Sequence, residues 1–237
     1  AQSQVLQGTG TTARMGAPLH TLMPTFQHII DVCTRGSLEA ADRIIGPRGP
    51  ILRPYVPDLV KLPGQADYME VAELDPKAAM LRIYRAVLDT VLAFAENRPL
   101  LWVFEDLQWA DGLTMGCLEY MLRNLGDAPV FLLGSYRTDE ETEELRSLAG
   151  MDGAEVMYVR RLDQEAVPGM VREMLAVHDE NRPLEDYVVR HAEGNPFFVG
   201  ECLREAIAEG FLALSEEGKW SFDETKMEAL ADAAVPE

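Results

Sequence analysis

Residues 99–106 read PLLWVFED: a proline, five apolar residues and two adjacent carboxylates. The apolar run is too short for a helix and too continuous for a half-exposed strand, so it reads as a central strand of a parallel sheet. Upstream, Asp75-Pro76 opens a pattern in which Ile83, Val87, Leu88 and Val91 recur at helical spacing up to Asn97. Downstream, Asp111 can cap a helix carrying Leu118, Met121, Leu122 and Leu125 on one face. Val130–Leu133 then reads as a second buried strand and Val156–Val159 as a third. Strands alternating with helices predict an α/β fold with a doubly wound parallel sheet.

The flanking segments are less regular. Gln4–Gln7 is a short strand candidate closed by the loop GTGTTARMGAP, and a helix follows Pro24 with Phe26, Ile29, Ile30 and Cys33 on one face. Residues 37–75 are rich in Pro and Gly and read as an insertion outside the core scaffold. After Leu162 three helical stretches follow, from the cap candidate Asp163, from Leu184 to His191 and from Pro196 to Glu209. A hairpin pairs 211–214 with 219–222. The expected organisation is an α/β core over 1–161 and a small helical lid over 162–237.

With 21 basic and 40 acidic residues the net charge is −19, and no basic run is present, which argues against direct nucleic-acid binding. Cys33, Cys117 and Cys202 lack metal-ligand or paired spacing and read as buried thiols. With no membrane span or leader pattern, no membrane partner and a cytoplasmic location are expected. The chain starts without Met and ends in VPE, which reads as a piece of a longer protein.

Ligands of open parallel sheets sit beyond the carboxyl ends of the strands, where Glu105 and Asp106 fall. Such carboxylates hold Mg²⁺ or its waters and orient an attacking water in phosphoryl transfer. They serve equally to mark a strand's exit or cap the next turn. Three segments in order, PLLWVFEDLQWAD, PVFLLGSYR and HAEGNPFFVGECLREAIAEGFL, resemble the ATPase module of bacterial multidomain signalling proteins. That module is the STAND-like branch of the AAA+ P-loop NTPases, found in LuxR-type regulators and in adenylyl-cyclase- and kinase-linked ATPases. The resemblance covers 76–222 well and 1–75 loosely.

The resemblance implies an ATP-binding, ATP-hydrolysing switch in signal transduction or transcription regulation, with ATP and Mg²⁺ as cofactors. Its partners would be the nucleotide, other domains of the parent chain and further copies of itself. It places Glu105 and Asp106 on the Walker B positions as catalytic residues, Glu105 the magnesium partner and Asp106 the water-orienting group. Arg137 falls at sensor 1, where its fork of donors suits a γ-phosphate; the adjacent acidic run DEETEE offers it ion-pair partners as well. Asn195 and Pro196 of GNPFF fall where the family's lid meets the adenine. Read locally, Asn195 caps a helix, Pro196 suits its first turn, and Phe197 and Phe198 bury against the core. Trp109 and Asp111 either shape the loop after the acid pair or serve packing and capping.

The phosphate-binding motif GxxxxGK[ST] is absent from the chain, and GTGTTARMG and GPRGP lack its Lys. Compared with the family, residues 1–7 resemble the module's second strand, which places a Walker A segment upstream of Ala1. Hydrolysis is expected only where that segment is supplied; otherwise the chain reads as a degenerate, non-catalytic interaction module. The missing strand would lie between Val130–Leu133 and Val156–Val159, which should then not pair directly.

Overall fold

The computed structural model describes residues 3–12, 17–178, 180–215 and 218–226. The reading of 8–18 as a loop falls partly, over 13–16, outside the described residues; so does the end of the expected lid, 227–237. The chain divides into two compact units, 1–156 and 157–237, where sequence reading set the division after 161.

The first unit is mixed α/β. Strand β1 (Gln4–Thr9) leads to helices α1 (Met23–Arg35), α2 (Leu38–Ile44), α3 (Gly49–Leu52) and α4 (Pro76–Ala95). Strand β2 (Leu100–Glu105), helix α5 (Gly112–Asn124), strand β3 (Val130–Gly134) and helix α6 (Glu143–Ala149) follow. The three strands form one parallel sheet in the order β1-β2-β3, with Leu6 opposite Trp102 and Trp102 opposite Leu132. Asp75 starts α4 by accepting from the amides of Lys77 and Ala78, and Gly36 ends α1 by donating to Val32 and Cys33.

Side chains alternate across a sheet, so one face carries Leu6, Leu100, Trp102, Phe104 and Leu132. The first four are buried in one core with Phe26 and Ile29 of α1, Val87 and Val91 of α4, and Leu118 and Met121 of α5, while Leu132 packs against its edge. Trp102 is fully buried and donates its Nε1 proton to Thr25 Oγ1 at 2.8 Å. The opposite face, with Val5, Leu101, Val103, Phe131 and Leu133, is half-buried to exposed; Phe131 is 65% and Val5 59% exposed. A doubly wound sheet covers both faces, and here the buried rows all lie on one.

Three expectations are corrected. Val130–Leu133 is a strand, but an edge strand, and its outward residues Phe131 and Leu133 are exposed. Val156–Val159 is irregular rather than a strand, and its four side chains, lacking a covering layer, are 46–89% exposed. The stretch 37–75 belongs to the core, because Ala41, Ile44, Ile45, Leu52, Val56, Leu59 and Leu62 are buried in it. With Val156–Val159 irregular, the expectation that it does not pair directly with Val130–Leu133 has no second strand to test it; among the described residues β3 pairs in the sheet with β2.

The second unit holds α7 (Ala166–Leu175), α8 (Arg182–Ala192), α9 (Pro196–Ala208) and an antiparallel hairpin of β4 (Leu212–Leu214) and β5 (Trp220–Phe222). Val167, Val171, Leu184, Val188, Val199, Leu203 and Phe211 form its own core. No helix of the described residues is long and apolar enough to cross a membrane.

Two outcomes follow from the packing. A Cβ on Gly8 would overlap the carbonyl oxygen of Thr21, which cannot move without its helix, whereas Gly112 has open space. Gly8→Ala should therefore lose about 2 kcal/mol in urea unfolding, with Gly112→Ala unchanged or slightly more stable. Burial pushes the Cys33 thiol up to about 11, that of Cys117 further, and that of Cys202 upward. At pH 8 the folded chain should resist a thiol-reactive chromogen, and all three thiols should react in urea.

Candidate functional site

β2 ends in the acid pair, and its two members are held differently. Glu105 is the last residue of the strand and belongs to the open face, in the row of Val103 and Leu101. Its Oε2 accepts from Gln7 Nε2 at 2.7 Å and from Thr9 Oγ1 at 3.3 Å, both on β1. Parallel pairing sets Thr9 opposite Glu105, so the register itself brings these donors to the carboxylate.

Asp106 leaves the strand in the left-handed region, with φ 55° and ψ 47°. Asp tolerates that conformation better than most residues, but it is still strained relative to Gly. Three contacts fix the turn. Leu107 donates its amide proton to Ser135 O, Ser135 donates to Phe104 O, and Gly10 donates to Glu105 O at 2.8 Å. Gly10 comes so close that a Cβ would overlap the carbonyl oxygen of Asp106. The loop after β1 and the end of β3 thus both grip the acid pair. The Asp106 carboxylate accepts at Oδ1 from Gln108 Nε2, 3.2 Å away.

Gln108 also accepts, through Oε1, from the backbone amide of Arg137 at 3.3 Å. Arg137 follows β3, so one side chain ties the ends of two strands together. The Arg137 guanidinium is itself committed, donating to Asp139 at 3.0 Å and pairing with Glu140 at 3.2 Å. The Asp139 hydrogen bond, then the charges of Asp139 and Glu140, raise its pKa above the ordinary value, with a smaller push from Asp106. Trp109 Nε1 donates to Glu140 Oε2 at 2.9 Å, extending the network. Of the alternatives open for Arg137, its ion pairs with the acidic run are the ones formed here.

Asp111 acts as cap and as anchor. It accepts from the amides of Leu113 and Thr114 at the start of α5 and from the amide of Leu19. Its Oδ2 accepts from Thr114 Oγ1 at 2.5 Å and lies 3.3 Å from His20 Nδ1. Leu19 is buried with φ 57°, so the strained loop after β1 is tied directly to the loop after β2. Sequence reasoning missed Gln7, Thr9 and Gln108 as neighbours of the acid pair, and His20 as a neighbour of Asp111.

Asn195 and Pro196 lie in the second unit at the start of α9. Asn195 caps the helix, accepting from the amide of Phe197 at 3.0 Å, and Pro196 occupies its first turn. Phe197 and Phe198 are not buried as expected; they are 65% and 47% exposed, since Val199, Cys202, Leu203 and Ala206 are the residues α9 buries.

The chemistry available to the acid pair is bounded by its free oxygens. Glu105 keeps Oε1 and Asp106 keeps Oδ2 without a hydrogen bond among the described residues. That suits one Mg²⁺ or a water of its shell, because magnesium uses one or two carboxylates and takes its other ligands from water and phosphate. No group of three or more His, Cys, Asp or Glu able to form an all-protein metal site occurs among the described residues. The sequence contains no GxxxxGK[ST] segment. A cleft of about 400 Å³ beside α5 and α6, lined by Met115, Glu119, Glu143 and Leu148, does not include the acid pair.

The molecule is thus a two-unit chain whose first unit is a three-stranded parallel α/β structure with an acid pair at the carboxyl end of its middle strand. No family model, curated protein or solved structure matches it.

The strain at Asp106 has a measurable consequence. Asp106→Gly removes a weak hydrogen bond but relieves the left-handed backbone, and should raise stability by about 1 kcal/mol in urea unfolding. Asp106→Val should lower it by a similar amount.

Proposed function

We propose that the chain is the larger part of an ATP-binding and ATP-hydrolysing switch module within a bacterial, cytoplasmic signal-transduction or transcription regulator of the STAND-like AAA+ kind. The observation that carries this reading is the acid pair at the end of β2, beside a sheet with one face half-buried to exposed and with β3 pairing on one side alone among the described residues. A strand–loop–helix unit supplied from outside residues 1–237 fits that opening. Its strand extends the parallel sheet at β3, its helix covers Val5, Phe131 and Leu133, and its loop comes to the carboxyl ends where Glu105 and Asp106 wait. Such a unit supplies the backbone amides and Lys that this chain lacks for phosphate.

In this reading Glu105, steadied by Gln7 and Thr9, offers Oε1 to Mg²⁺ or its water shell. Asp106 offers Oδ2 to orient a water. Bound ATP with Mg²⁺ supplies a terminal phosphoryl group open to in-line attack. Arg137 would reach phosphate by exchanging its ion pairs with Asp139 and Glu140 for it. Asn195 and Pro196 would report the base from the second unit, and output would be a change of conformation rather than fast turnover.

A second reading has its own support. Arg137 and one oxygen of Glu105 are already satisfied within the chain, as in an interaction module that keeps the architecture without the nucleotide. The two readings separate in the full-length protein. Asp106→Asn should lower ATP turnover on the order of 10²-fold while nucleotide affinity is retained. Turnover at the unsubstituted rate would overturn the role given to Asp106, and a full-length protein that binds no ATP with Mg²⁺ would establish the interaction module.

A further inference from the structure

The second unit contains a site that the ATPase reading does not use. α7, α8 and β5 border a cleft of about 570 Å³, within the range of small-molecule sites. One wall is apolar, formed by Val171, Leu175 and Trp220, and the indole is fixed there because its Nε1 donates to Leu175 O at 3.0 Å. The other wall carries a buried charge. The Glu185 side chain is only 9% exposed, and its Oε1 has no hydrogen-bond partner.

The cation nearest that oxygen is Arg172, whose Nε lies 3.7 Å away; its Nη1 is 3.8 Å from Glu180. Both separations exceed hydrogen-bonding distance, so Arg172 offsets charge without satisfying Glu185 or its own donors. A buried ion pair repays its desolvation only when further hydrogen bonds complete it. A buried carboxylate short of hydrogen bonds, beside an unspent guanidinium in a cleft with one apolar wall, is therefore completed by a ligand carrying both a donor and an acceptor. A simple anion would meet Glu185, and a simple amine would leave Arg172 unused. The Glu185–Arg172 pair is electrically balanced and suits a balanced guest, with Glu180, Arg182 and Lys219 the other charged groups of the lining.

We propose that this cleft binds a zwitterionic α-amino acid with an apolar side chain, its ammonium on Glu185, its carboxylate on Arg172 and its side chain along Val171, Leu175 and Trp220. The proposal stands independently of nucleotide binding. Arg182, paired with Glu180, is a further cation of the lining.

Titration calorimetry of the 237-residue chain with L-phenylalanine and L-leucine tests it. Both should bind at millimolar concentration or below. Phenethylamine, which lacks the carboxylate, and N-acetyl-L-phenylalanine, which lacks the ammonium, should each bind about tenfold more weakly or worse. Glu185→Gln keeps the side chain's shape, and should lose about tenfold in affinity for L-phenylalanine while the free variant melts no lower. If that variant does not fold, the analogue series on the unsubstituted chain decides alone. Absence of binding by either amino acid, or equal binding of the amine and the amino acid, would overturn the proposal.

Discussion

Trp102 is the residue on which the first unit turns. It sits fully buried in the middle strand, bonded through its indole to Thr25 of α1. Side chains in a strand alternate with a period of two, so burying Trp102 also buries Leu100 and Phe104 and sends Leu101, Val103 and Glu105 to the other face. A slip of one residue would bury Glu105 and expose the indole. The apolar packing of one side chain thereby places the acid pair. It also sets the parallel register that delivers Gln7 and Thr9 to Glu105.

The grip on Asp106 is built from backbone rather than from side chains. Gly10 approaches its carbonyl from the β1 side, and Ser135 brackets the turn from the β3 side. Asp111 fastens the loop after β1 to the start of α5 through Leu19. A non-glycine residue is held in the left-handed region only when its surroundings over-determine it, and such residues cluster at functional positions. Here three loops supply that constraint, which is economical if the Asp106 carboxylate is needed where it stands and wasteful if it is not.

How far the sequence disclosed this structure depended on whether the signal was local. LLWVFE declared itself because a buried strand needs consecutive apolar residues, and the helices around Phe26, Val87, Met121 and Val188 did so by their spacing. The caps at Asp111 and Asn195 were equally local. The stretch 37–75 misled because Pro and Gly suggested an excursion, although Ala41, Ile44, Leu52, Val56 and Leu59 recur every three to eight residues and are buried. Val156–Val159 misled for the opposite reason: its pattern fits a strand, but hydrogen bonding needs a neighbour. Of the site, the two acids, Arg137, Trp109 and Asp111 could be singled out, with Asn195 and Pro196 in the second unit. Gln7 meets Glu105 across 98 positions, and the left-handed turn at Asp106 carries no glycine to announce it.

The open face and the acid pair are best understood together, since Glu105 lies on that face in the same row as Leu101 and Val103. Parallel sheets are ordinarily covered on both sides, because apolar residues on an uncovered side leave about 25 cal/mol unrealised for each Å² kept in water. Whatever covers Val5, Phe131 and Leu133 must therefore end beside the Glu105 carboxylate. In the proposed reading, covering the sheet and completing the site are one event, driven by apolar burial. A module built that way would gain its chemistry only when its fold is complete, which links the β3 edge to the switch-like behaviour proposed for the whole.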